Sequence, residues 1–255
     1  MNSTIRPLDQ AECYQLAEVL GDTPETVIPV HLLRRGLCEA YAMGDLSGVY
    51  GAIVRDLNVY DEPAAFGNSP DMICTLLLSL TGWFCVNIAA ELAKSLGVLI
   101  EKGMGGKVRY YGDVHYTLTT PVKQFGDAAV RQLTPDDLIL LEAAKDDVRA
   151  TGFGGPGQLL ENGFAAGAVV DGQVVAIAQS YARTEGYADV GVATLPEYRG
   201  RGYATAAASI VAQRLQEAGQ IPVWSTGEDN YASQRIAQKL GFTEVGRRVY
   251  VILEK

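Results

Sequence analysis

The segment Val192–Thr205, VATLPEYRGRGYAT, constrains this chain more than any other. Its start, up to Leu195-Pro196, reads as the end of a strand, and Arg199-Gly200-Arg201-Gly202 then feeds a helix. That helix carries Ala204, Ala207, Val211, Leu215 and Ala218 at three-to-four spacing, and Gly219 is its stop. Glycine lets a backbone come close to a ligand, and the first N–H groups of a helix lack intrahelical partners. The helix dipole favours an anion there, and two arginines add fixed positive charge. The pattern predicts a cradle for a diphosphate. From spacing alone, a strand-to-helix turn with solvated arginines also fits.

The elements around this segment form an antiparallel meander leading into a strand-loop-helix-strand unit. Val130–Leu133 reads as a short strand, and Thr134-Pro135-Asp136-Asp137 starts a helix running towards Arg149. Strands are expected at Ala165–Val170 and Val174–Ala182, joined by the hairpin turn Asp171-Gly172, with a third over Ala188–Thr194. A helix from Tyr203, a strand at Ile221–Ser225, a helix over Tyr231–Leu240 and a strand over Thr243–Leu253 complete this part.

The preceding residues alternate helix and strand. Helices are expected over Ala11–Leu20, Val30–Ala42, Asp71–Ser79 and Ala89–Leu96, the last stopping at Gly97. Strands are expected over Gly48–Val54, around Trp83–Ile88, and within Val108–Leu118. Pro121–Asp127 reads as a linker, which divides the chain into residues 1–125 and 126–255.

Composition excludes several classes. The 255 residues carry 21 basic and 30 acidic side chains, a net charge of −9, which argues against a nucleic-acid or anionic-membrane surface. Four cysteines without a CxxC spacing and two histidines exclude a zinc ribbon and argue against a metal site. Met72–Ala90 lacks charge, but Thr75, Ser79, Gly82 and Asn87 interrupt it, so it reads as a buried helix and a strand rather than a membrane span. The first ten residues hold no apolar signal-peptide core, so a cytoplasmic chain with free thiols is expected.

Other motifs fail on context. Gly152-Phe153-Gly154-Gly155-Pro156-Gly157 satisfies GxGxxG but follows a helix and contains a proline, so it reads as a mobile loop. Gly105-Gly106-Lys107 is not a P-loop, and Gly67-Asn68-Ser69-Pro70 is not a nucleophile elbow. Cys74 and Cys85 lie in apolar runs and read as core residues rather than nucleophiles.

Arg199-x-x-Gly202-x-Ala204 resembles the R/Q-x-x-G-x-G/A pyrophosphate loop of the GCN5-related N-acetyltransferases, the GNAT superfamily. Pro196-Glu197-Tyr198-Arg199-Gly200 looks like that family's lead-in, and Asn230 followed by Lys239-Leu240-Gly241-Phe242 is similar to its closing helix. The resemblance covers residues 129–255. It implies an α/β (α+β) fold with a mixed, mostly antiparallel sheet flanked by helices, and acyl-CoA held between splayed strands. The residues it assigns to the cosubstrate are Ala193, Thr194, Leu195, Arg199, Gly200, Arg201, Gly202, Tyr203, Ala204, Thr205, Asn230 and Ser233.

The same resemblance implies a bulge near Ala193-Thr194 whose N–H faces the thioester carbonyl. It implies Asp189 as the base, with Glu185 as second choice. The family's tyrosine acid falls at Ala237, which has no proton to give, so Tyr231, Ser233 or water takes that role, or catalysis is lost. The first half has no RxxGxG loop, so one cofactor site is expected. Its architecture looks like the degenerate first half of two-part members such as the glycine N-acyltransferases; an unrelated α/β domain is the alternative. The resemblance implies a metal-free N-acetyltransferase using acetyl-CoA and a small amine acceptor. An acyl-CoA-binding module without turnover and a protein lysine acetyltransferase are the competing readings, and a homodimer is left open.

Overall fold

The computed structural model describes residues 5–44 and 51–254. The chain forms two compact units, one of Met1–Val114 with Gly246–Lys255 and one of His115–Val245. Among the described residues no helix is long and apolar enough to cross a membrane.

The first unit opens with α1 (Gln10–Leu20), whose N-cap Asp9 and Glu12 exchange side-chain-to-backbone hydrogen bonds at 2.9 and 2.8 Å. α2 (Val27–Arg35) is followed by β1 (Cys38–Met43) and β2 (Gly51–Asp56). The single helix expected over Val30–Ala42 is therefore a helix and a strand. Gly36, at φ 66°, donates its N–H to the Leu32 carbonyl and closes the helix in the left-handed conformation that glycine adopts without penalty. Of the strand expected at Gly48–Val54, Gly48, Val49 and Tyr50 lie outside the described residues.

β3 (Ala64–Phe66), α3 (Pro70–Ser79), β4 (Cys85–Ala89), α4 (Ala90–Met104) and β5 (Lys107–Thr117) follow. Ser69 caps α3, with Pro70 in the first turn where its missing N–H costs nothing. α4 runs on past Gly97, the expected stop. A Cβ there would collide with the Tyr110 hydroxyl, so this glycine makes room for a side chain rather than ending a helix. Leu76, Leu77, Leu96, Ile100 and Val251 fill one core; Leu16, Val30, Leu33 and Val54 fill another.

The second unit contains β6 (Val130–Leu133), α5 (Leu138–Glu142), α6 (Pro156–Asn162), β7 (Ala165–Val170), β8 (Gln173–Arg183) and β9 (Tyr187–Thr194). α7 (Tyr203–Glu217), β10 (Ile221–Gly227) and α8 (Tyr231–Leu240) complete it. The helix expected to reach Arg149 is broken. Lys145 is extended, and a 3₁₀ turn at Asp146–Val148 then sends Val148 into the core beside Leu141. The glycine-rich segment expected as a loop holds a 3₁₀ turn at Gly152–Gly154 and the start of α6. The segment 121–127 has no helix or strand, yet Lys123 N–H donates to Leu240 O at 3.2 Å and Phe125 N–H to Ser209 Oγ at 3.3 Å. The units accordingly divide between Val114 and His115.

The chain runs twice through the same order, from β1 to β5 and from β7 to β11 (Thr243–Glu254): three strands, a helix, a strand, a helix and a strand. The pairing senses also agree. β1–β2 and β2–β3 are antiparallel and β3–β4 parallel, just as β7–β8 and β8–β9 are antiparallel and β9–β10 parallel. The closing strands are exchanged. In the first unit β4 is flanked by the C-terminal part of β11, through Arg248–Ala89 to Ile252–Cys85. In the second, β10 is flanked by the last residues of β5.

Candidate active site

In the second unit β9 and β10 pair at Tyr187–Ile221, Ala188–Pro222 and Asp189–Val223, where the pairing stops. β9 continues to Thr194 and β10 to Gly227, so the two strands part and leave a wedge. A cleft of about 790 Å³ is lined by Val192–Thr194 of β9, by Tyr198–Thr205 of the following turn and α7, and by Asn230, Ala232, Ser233, Arg235, Ile236 and Lys239 around α8. Asp147 is the carboxylate among the described lining residues.

The turn adopts the conformation its sequence requires. Gly200 and Gly202 have φ of 78° and 86°, a region that costs a side-chain-bearing residue free energy. A Cβ added at either would meet no protein atom within 4 Å, so the space in front of them belongs to the cleft. The first helical bond of α7 runs from Ala206 N–H to Gly202 O at 3.0 Å, leaving the N–H groups of Tyr203, Ala204 and Thr205 without intrahelical acceptors. Arg199 Nε donates to Thr194 O and Arg201 Nη2 to Glu197 O, each at 3.3 Å; the Arg201 guanidinium lies 4.9 Å from the Tyr198 ring centroid. These bonds use a fraction of the donors on each guanidinium. A glycine-walled cradle, orphan helix N–H groups and two cations are the donor set that a diphosphate needs.

The bulge expected near Ala193-Thr194 is elsewhere. Those residues pair regularly with Ile177 and Ala176; the register shifts at Tyr181 on β8, opposite Asp189 and Val190. The open donors on β9 arise because β10 diverges. Leu195 N–H donates to Val175 O at 2.9 Å, and antiparallel alternation turns the N–H groups of Val192 and Thr194 to the opposite side, into the wedge.

Asn230 caps α8, its Oδ1 accepting the Ser233 N–H at 3.2 Å, while Ser233 Oγ accepts the Trp224 indole N–H at 2.9 Å. Both line the cleft, together with Ala193, Thr194 and every expected residue from Arg199 to Thr205. Leu195 does not: it is packed in the core beside Leu141 and Ile177. Asp189, Glu185 and Tyr231 also fall outside the lining. Asp189 is buried, with Ser225 Oγ 3.5 Å from its Oδ2, and Tyr231 is 64% exposed. Ala237 is fully buried.

Sequence reasoning missed Val192, Tyr198, Asp147 and the α8 residues Ala232, Arg235, Ile236 and Lys239. The last four carried a readable signal, a stripe at three-to-four spacing on one helix face. Asp147 carried none, because it arrives from the distant 3₁₀ turn. Nearby, the backbone N–H of Glu197 holds its own carboxyl below the ordinary pKa, helped by Lys145 Nζ at 3.4 Å. Among the described residues no group of three or more His, Cys, Asp or Glu is placed to hold a metal ion.

The fold and the cleft together define a GNAT-type acyltransferase scaffold. The GNAT acetyltransferase family model matches residues 115–250, more than half of the chain, which therefore belongs to that family. A Drosophila protein of known structure, 11% identical, superposes over 98% of both chains with a TM-score of 0.70. A GCN5-related N-acetyltransferase-like protein from Streptococcus suis, 19% identical, superposes over 96% of this chain and 99% of its own with a TM-score of 0.68. A tandem GNAT protein from the clavulanic acid biosynthesis pathway, 15% identical, matches over 97% of both with a TM-score of 0.58. At these identities the likeness is one of fold. No curated protein matches the sequence.

Proposed function

We propose that the chain is an N-acetyltransferase that moves acetyl from acetyl-CoA to the amine of a small molecule, with a single cosubstrate site in the second unit. The observation that carries this reading is the diphosphate cradle at Arg199–Thr205 opening into the wedge between β9 and β10. Acetyl-CoA supplies an activated thioester. The N–H groups of Tyr203, Ala204 and Thr205, with Arg199 and Arg201, hold the diphosphate; Asn230 and Ser233 face the pantetheine arm. The N–H groups of Val192 and Thr194 are directed to where the thioester oxygen gains charge, and a backbone donor of this kind contributes roughly 3 kcal/mol to the transition state.

An amine is protonated at neutral pH and must lose a proton before it attacks. Asp147, on the cleft wall, is the carboxylate suited to draw in the ammonium; Asp189, buried beneath the wedge, is suited to accept the proton through an intervening group. A cationic acceptor also suits a chain of net charge −9. The first unit, with the same order and pairing senses, reads as a degenerate GNAT-like half, a reading that the tandem GNAT likeness supports.

A second reading, acyl-CoA binding without turnover, is favoured by the burial of Ala237 and the absence of Asp189, Glu185 and Tyr231 from the cleft lining. Calorimetry and thiol release test both. The wild-type chain is expected to bind one CoA, and Gly202→Asp to lose binding because a carboxylate enters the cradle. Unchanged affinity in a folded Gly202→Asp chain defeats the proposal. Binding with no thiol release from acetyl-CoA across a panel of small amines leaves the binding module.

A further inference from the structure

The cleft inverts the charge of the chain that forms it. Against Asp147 stand four cations, and they come as two pairs on two elements: Arg199 and Arg201 on the turn, Arg235 and Lys239 on α8. The turn pair is anchored to backbone carbonyls beside the orphan N–H groups, which is a complete site for one anion.

The α8 pair is different. Arg235 and Lys239 are four residues apart, so they share a face about 6 Å apart along the axis, and both are exposed. Neither makes an ion pair or hydrogen bond among the described residues. Like charges at this spacing oppose each other in a helix, and no carboxylate stands on that face to offset them. Ala232 and Ile236 beside them give the cleft wall an apolar strip on which a ligand can lie. The arrangement presents two cations to a second anion, displaced from the first and bound to the same molecule.

Resting on the acyl-CoA reading of the cleft, we infer that Arg235 and Lys239 form a distinct subsite for the 3′-phosphate of the cosubstrate, so that the protein selects CoA over carriers lacking that group. CoA carries a diphosphate, which the turn takes, and one further phosphomonoester, close to doubly charged at neutral pH. Arg and Lys side chains are the groups that bind such a dianion by charge-assisted hydrogen bonds. The diphosphate site then supplies the common affinity and the α8 face supplies the discrimination.

Calorimetric titration with CoA and with 3′-dephospho-CoA tests the assignment. The wild-type chain is expected to bind the dephospho form about 10- to 100-fold more weakly, the range given by one or two charge-assisted contacts. The double variant Arg235→Gln/Lys239→Gln is expected to bind both ligands alike, at the wild-type affinity for the dephospho form. Its melting temperature should be unchanged or slightly raised, since the substitutions remove like-charge repulsion from an exposed helix face. Equal wild-type affinities for the two ligands, or discrimination that survives in the folded double variant, overturns the subsite. Failure of the wild-type chain to bind either ligand overturns the acyl-CoA reading itself.

Discussion

The Arg248 guanidinium grips Asn87 twice, its Nε donating to Asn87 Oδ1 and its Nη2 to the Asn87 carbonyl at 3.2 Å. The same Nη2 donates to Ala65 O at 2.8 Å, and the guanidinium lies 4.6 Å from the Phe66 ring centroid. Asn87 in turn donates from Nδ2 to Asp113 Oδ2 at 2.9 Å. Ala65 is on β3 and Asn87 on β4, the parallel pair of the first unit. Arg248 thus stitches together the strands whose counterparts, β9 and β10, part to form the cleft. Burial pushes its pKa down to about 10, with the Asp113 charge acting against that shift.

Removing this side chain leaves three buried acceptors and a carboxylate without their cation. Arg248→Ala is expected to destabilise the chain by roughly 3 kcal/mol or more, read from urea or thermal unfolding. CoA affinity of the folded fraction should not change. A loss below about 0.5 kcal/mol would show that the strands hold without it.

The exchanged strands set where the chain can be cut. A fragment of residues 128–255 lacks the 115–117 stretch of β5 and the 118–127 segment, which Gln216 binds through Thr120 O at 2.7 Å. It also carries β11 residues whose partners in β4 are missing. Light scattering is expected to show aggregation, because an unpaired strand edge is exposed. A monodisperse, cooperatively melting fragment would contradict the account.

In the proposed reaction Asp147 recognises the acceptor amine and Asp189 takes its proton. Asp147→Asn is expected to raise KM for an amine acceptor with little change in kcat. Asp189→Asn is expected to lower kcat by about 10²- to 10⁴-fold, a deficit that shrinks as pH rises and neutral amine becomes plentiful. A pH-independent loss in the Asp189 variant would assign it a purely structural role.

Burial keeps the cysteine thiols out of chemistry. Those of Cys38 and Cys85 are pushed up to about 12, and those of Cys13 and Cys74 are raised. At pH 8 a thiol with that value is about 10⁻⁴ thiolate, the reactive form. A disulfide reagent should therefore label Cys38 and Cys85 slowly in the native protein and all four cysteines after denaturation. Fast native labelling of Cys85 would reopen a cysteine role.

The second unit was the more legible half because its signals are local. The Asp171-Gly172 turn fixes a hairpin between neighbours, and the bounds of α8 follow from Asn230 at one end and Gly241 at the other. The cradle was legible for the same reason: its glycines and cations are consecutive. Misreadings arose where a distant contact decides the outcome. Gly97 stays helical because of Tyr110, and the wedge donors on β9 depend on where β10 departs. Asp147 reaches the cleft through tertiary packing alone. Strand exchange leaves no mark on sequence, since β5 and β11 have the same alternation whichever neighbour they pair with.

That exchange also bears on the order in which the molecule can be made. A ribosome adding about 5–20 residues per second takes on the order of ten seconds to pass from Val114 to Gly246. Throughout that interval the nascent first half has every helix it will ever have, but an unfilled place beside β4. It must wait, with a raw edge, for a strand translated after the whole acyltransferase half, so its maturation is tied to completion of its neighbour.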